Sequence, residues 1–139
     1  GDLRFEGRPT PTLHALDGLV RGDDPVPDYR LKMGANLPPL GKLSTWWRDD
    51  LSAELGRAAR RSVVVDLLPQ EHRAAWSPGS AGAGVEGVTV SLVDPSGKPG
   101  GHVAKAAKGS LAREILLHGL DALDTWSDDR FVVEVTPIP

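Results

Sequence analysis

With 139 residues, 40% hydrophobic and 25% charged, the chain has the make-up of one globular domain and not of a disordered polymer. A formal charge of -3 excludes a generally basic coat for nucleic acid, so any polyanion site has to be local. The absence of cysteine excludes disulfides, zinc–thiolate sites and thiol catalysis, and the lack of a signal peptide or of a run near the roughly 18 apolar residues of a membrane span leads us to expect a cytoplasmic protein off the membrane.

Residues up to Lys42 are rich in proline and poor in apolar periodicity, and read mostly as loop, with one short helical possibility around Leu13 to Val20. From about Leu43 to Arg60, the recurrence of Leu43, Trp47, Leu51, Leu55 and Ala58 predicts an amphipathic helix with Arg48, Asp49, Asp50 and Arg57 outward. The β-branched run Val63-Val64-Val65 predicts a buried strand with Asp66 near its end. A short helix from Pro69 to Trp76 follows, proline being tolerated in a first turn. After a loop at Ser77 to Gly84, the alternation of Val88, Val90 and Leu92 predicts a strand over Val85 to Val93. Asp94-Pro95-Ser96-Gly97 has the composition of a type I turn, from which the chain is expected to return through Gly101 to Val103 as a hairpin partner. A second helix, about Ala104 to His118, stops at Gly119, and Phe131 to Val135 is the last strand, ended by Pro137. Interleaved helices and strands predict an α+β fold, a mixed sheet of short strands with two main amphipathic helices, as a single domain over residues 1–139.

Two cationic segments carry the chemistry. In Tyr29-Arg30-Leu31-Lys32-Met33-Gly34, Leu31 and Met33 alternate inward while Arg30 and Lys32 face away, and the planar fork of an arginine suits it to phosphate oxygens. The alternative is an edge strand whose arginine pairs with Asp23, Asp24 or Asp28. On the second helix, Lys105, Gly109 and Arg113 share one side with Lys108 close by, opposite an apolar stripe of Ala104, Ala107, Leu111, Ile115 and His118. Glycine inside a helix costs about 1 kcal/mol relative to alanine, so Gly109 invites close approach by a phosphate or a neighbouring backbone. The alternative is a solvated face, with Gly109 making room for a packed neighbour. The functional reading has both segments meeting in one concavity.

The chain resembles the YaaA-like peroxide-stress family. The resemblance rests on Leu16-x-Gly18-Leu19, Arg21 and Asp24, then Tyr29-Arg30-Leu31 with Met33-Gly34, Gly41-Lys42, Trp47 with Asp49, Val63 to Leu67 with Glu71, and Ala104-Lys105-x-Ala107-Lys108-Gly109 with Arg113. These run in order over about Leu13 to His118, similar to the C-terminal half of family members, whose N-terminal half has no counterpart here. The resemblance implies an intracellular protein linked to peroxide tolerance that limits oxidative DNA damage through iron handling, and that binds DNA through a basic cleft and a helix-hairpin-helix-like element. The nearest match to that hairpin is Pro38-Pro39-Leu40-Gly41-Lys42. A hairpin there offers backbone donors to a phosphate without reading bases.

Two functions follow. The first is a binding protein for DNA or another phosphate-bearing polyanion, using Tyr29, Arg30, Lys32, Lys42, Lys105, Lys108, Gly109 and Arg113. The second is an enzyme acting on a nucleotide or phosphorylated small molecule, with Glu71 or Asp66 as acid or base. A third arrangement has the chain assembling with a partner chain that supplies the missing half. Trp46 and Trp47 are candidates to stack on bases, although Trp47 sits on the apolar stripe. Gly82-Ala83-Gly84-Val85-Glu86-Gly87 matches the dinucleotide fingerprint in letters only, lacking a strand before and a helix after. His14, His72, His102 and His118 show no paired metal spacing, His118 reads as a core residue, and no cofactor or metal is expected.

Overall fold

The computed structural model describes residues 4–5, 8–9, 11–14, 17–21, 23–28, 30–78 and 85–139. They form an α+β fold with the elements β1 (Arg4–Phe5), β2 (Arg8–Pro9), β3 (Pro11–His14), β4 (Gly18–Arg21), β5 (Asn36–Leu37), β6 (Gly41–Lys42), α1 (Leu43–Ala58), β7 (Val64–Asp66), α2 (Gln70–Arg73), β8 (Gly87–Val93), α3 (Ala104–His118), α4 (Ala122–Thr125) and β9 (Val132–Pro137). The chain separates into two compact units, Gly1–Val64 with Leu68–Glu86 and Ile138–Pro139, and Val65–Leu67 with Gly87–Pro137.

The first unit is built on short hairpins and α1. Instead of the helix expected around Leu13 to Val20, β3 and β4 pair antiparallel, Leu13 opposite Leu19 and His14 opposite Gly18. Gly18 decides this: its φ of 73° is left-handed, and a Cβ there would lie 2.9 Å from the Trp47 ring, so the backbone turns tightly under the indole. Helix α1 realises the expected stripe, with Leu43 and Leu51 buried and Trp47 and Leu55 half-buried, although Ala58 is exposed. Those residues join Leu13, Met33 and Ala75 in one apolar cluster. Arg48, expected outward, lies half-buried because its Nε donates to the Ala74 carbonyl at 2.9 Å. The Ser77 N–H donates to Ser52 Oγ at 2.9 Å, so this buried hydroxyl of α1 has a partner.

The second unit is a sheet in the order β7-β8-β9 with α3 laid on it. Strands β8 and β9 are antiparallel, with Val90 opposite Val135 and Leu92 opposite Val133. Val90, Leu92, Ala104, Ala107, Leu111, Ile115 and Ala122 form its core, which follows the expected faces of β8 and α3. The turn after β8 is as expected: the Gly97 N–H donates to the Asp94 carbonyl at 2.9 Å, and Asp94 Oδ1 accepts from the Ser96 hydroxyl and from the N–H groups of Ser96 and Lys98. The Ser96 hydroxyl, followed by the Lys98 amide, holds the Asp94 carboxyl below its ordinary range. The return strand is smaller than expected. Only a bridge between Val93 and Pro99 forms, and Gly101 to Val103 is a turn leading into α3.

Three further expectations change. Val63 lies outside β7 and is exposed, and Val64 and Val65 are only half-buried, so the strand is both shorter and less buried than the β-branched run led us to expect. The helix expected over Pro69 to Trp76 narrows to α2, with Pro69 in the capping position. His118 is not a core residue: it is exposed in the last turn of α3, with Nε2 3.4 Å from Glu114 Oε2.

Candidate phosphate-binding surface

In the first unit the expected cations are carried on a chain of backbone hydrogen bonds. The alternation of Leu31 and Met33 inward with Arg30 and Lys32 outward is present, Met33 being fully buried, but the segment is a loop ending in a turn and not an edge strand. The Ala35 N–H donates to the Lys32 carbonyl at 3.0 Å, and the Leu43 N–H donates to the Ala35 carbonyl at 2.8 Å. Between them, β5 and β6 place Lys42 opposite Asn36, and the Leu40 N–H closes the connection on the Leu37 carbonyl at 2.7 Å. The peptide between Pro38 and Pro39 is cis, and Gly41 has a φ of 79°. The segment expected as the hairpin of a helix-hairpin-helix-like element is therefore a small β-hairpin that leads into α1. Among the described residues no helix precedes it.

Arg30, Lys32 and Lys42 are all exposed, and none of them makes an ion pair among the described residues. The pairing of Arg30 with an acidic neighbour is not what forms: Asp24 instead receives the Arg21 N–H at 2.8 Å and lies 3.7 Å from Arg21 Nε. Tyr29 falls outside the described residues.

A contact that sequence reasoning missed fixes this loop. Glu71 Oε1, on α2, accepts the Gly34 N–H at 2.6 Å. A Cβ on Gly34 would lie 3.1 Å from that oxygen, so the residue at this position has to be small for the carboxylate to reach the backbone. Residues 34 and 71 both lie in segments that carry the family resemblance, which was the available signal. Asp66 is buried at the end of β7, in the second unit.

On α3, Lys105, Gly109 and Arg113 follow one another at four-residue spacing along an exposed face, and Lys108 is half-buried beside them. Gly109 does not make room for a packed neighbour: a Cβ there would meet nothing within 4 Å. Arg113 is only partly available to an anion, since its Nη1 is 3.3 Å from Glu114 Oε1, an exposed pair of small energetic weight.

A cavity of about 500 Å³ in the first unit is lined by Arg60, Arg61, Ser62, Val63 and Glu86, and includes none of the expected site residues. Among the described residues no group of three or more His, Asp and Glu could hold a metal, and no helix is long and apolar enough to cross a membrane.

A family profile described as peroxide stress protein YaaA matches residues 12–133. UPF0246 protein SCO2297 of Streptomyces coelicolor is 38% identical over 104 residues, covering 75% of this chain and 40% of the relative. UPF0246 proteins of Ruegeria and Dinoroseobacter shibae are 32% and 34% identical, over 81% and 84% of this chain and 47% and 46% of their own. The chain thus spans less than half the length of these curated relatives. No solved structure matches it. A profile match over most of the chain, with relatives sharing about a third of its residues, establishes that the chain belongs to the YaaA peroxide stress protein family.

Proposed function

We propose that this chain supplies the phosphate-binding surface of a cytoplasmic peroxide-stress protein and contacts DNA or another phosphate-bearing polyanion. The observation that carries the reading is the trio Arg30, Lys32 and Lys42: exposed cations without ion-pair partners among the described residues, on backbone tied turn to hairpin to helix. Holding cations in place before a ligand arrives reduces the ordering cost of binding. The open face of Lys105, Gly109 and Arg113 on α3 is a second polyanion contact of the same kind. The enzymatic alternative has weaker support, because Glu71 is engaged with a backbone amide and so serves loop geometry.

Charge reversal tests the reading. Arg30→Glu and Lys105→Glu should each abolish or strongly reduce binding to duplex DNA or heparin while leaving the melting temperature nearly unchanged, both side chains being exposed. Affinity should fall steeply with salt, with a log–log slope that becomes shallower by about one for each phosphate contact removed. Unchanged binding in both variants would remove the site.

A further inference from the structure

From the exposed face that opens α1, we infer that the first unit holds an unpaired nucleotide of a single-stranded nucleic acid: phosphate at Lys42, base on Trp46 and the amino edge of the base toward Asp50. The inference rests on the phosphate-binding reading above and narrows its ligand.

Lys42, Trp46 and Asp50 lie at successive four-residue steps, and all three are exposed. Trp46 and Asp50 belong to α1, where a rise of about 1.5 Å per residue sets them roughly 6 Å apart along the axis, and Lys42, the last residue of β6, caps that helix four residues before Trp46. The order of chemistries is also that of a nucleotide: a cation for the phosphate, a flat aromatic surface for the base, and a carboxylate that accepts from an exocyclic amino group.

Trp46 is 46% exposed, whereas its neighbour Trp47 packs half-buried against the core of the same unit. It is also held in place. The Trp47 ring meets it edge-to-face, with centroids 4.8 Å apart and planes at 79°, and Trp47 is itself lodged against Gly18. The indole is thus an exposed and oriented surface. The first turn of α1 contains no acidic residue, so the charge around Lys42 favours an anion, whereas Asp49 and Asp50 one turn beyond Trp46 repel one. This polarity sets the direction of the nucleotide along the helix. Duplex DNA keeps its bases stacked inside and cannot use such a surface, so the single strand is the occupant that fits.

The test measures binding of labelled oligodeoxycytidylate, oligothymidylate and heparin to the wild-type chain and to Trp46→Ala, Trp46→Phe and Asp50→Asn. Trp46→Ala should weaken both oligonucleotides by about tenfold or more and leave heparin unaffected, because heparin has charge but no bases. Trp46→Phe should retain most of the affinity, which separates loss of a ring from loss of folding. Asp50→Asn should lower the preference for cytidylate over thymidylate, since thymine has no amino group. Equal losses for heparin and oligonucleotides in Trp46→Ala, or no loss for either oligonucleotide, overturns the stacking site while leaving the phosphate reading intact. Failure of the wild-type chain to bind any of the three overturns both.

Discussion

The two units display their cations by different means, and the difference decides how robust each surface is. On α3, position follows from helical periodicity: once Ala104, Ala107, Leu111 and Ile115 are buried, Lys105, Gly109 and Arg113 have to lie outward. In the first unit no such rule operates. Arg30 and Lys32 sit on a loop placed by a turn, a hairpin and one carboxylate reaching the Gly34 amide from residue 71. The helix surface therefore depends on a core, and the loop surface on a few specific contacts.

The largest expected effect tests the first half of that contrast. Leu111 is fully buried at the centre of the second unit, so Leu111→Ala should cost about 3 kcal/mol by lost apolar contact and cavity formation. Chemical denaturation followed by circular dichroism will measure it, and a loss under about 1 kcal/mol would mean that α3 is not organised by this core. A smaller effect tests the second half. Glu71→Ala should destabilise by only about 1 kcal/mol, yet speed hydrogen exchange at the Gly34 amide and weaken polyanion binding by freeing the loop. Glu71→Gln keeps an acceptor oxygen and should restore most of the protection. If Gly34 exchanges equally fast in wild type and Glu71→Ala, the latch does not organise the loop. The smallest effect sharpens the comparison on α3. Because nothing surrounds the missing Cβ of Gly109, Gly109→Ala should stabilise the helix by about 0.5 kcal/mol. A simultaneous loss of polyanion affinity would identify the glycine as a point of close approach, whereas destabilisation would reveal a packed neighbour.

What could be read from the residues follows the same division. Helices α1 and α3, strands β8 and β9 and the Asp94 turn announce themselves through periodicity and turn chemistry, which are local properties. The β3–β4 hairpin did not, because Leu13, Leu16 and Val20 in the sequence also fit a helical spacing and the deciding contact, Gly18 under Trp47, comes from a distant helix. His118 lies in register with the apolar stripe but beyond the part of α3 that is covered, so periodicity placed it inside while the end of the packed region leaves it in water. The outward direction of Arg30 and Lys32 was legible. The Glu71 contact that fixes them was not, since thirty-seven residues separate it from Gly34 and no spacing rule spans that distance.

Strand β9 ends the β7-β8-β9 order, so one of its margins presents peptide groups that no further strand of this sheet satisfies. Such a margin is a template on which another chain can add, and exposed Val132 and Val135 would reward the addition. Two residues oppose it. Glu134 is exposed between those valines and brings charge that repels a like strand, and Pro137 has no N–H to offer at the strand's end. The border of this sheet thereby carries features that oppose self-association on the same strand that ends the β7-β8-β9 order.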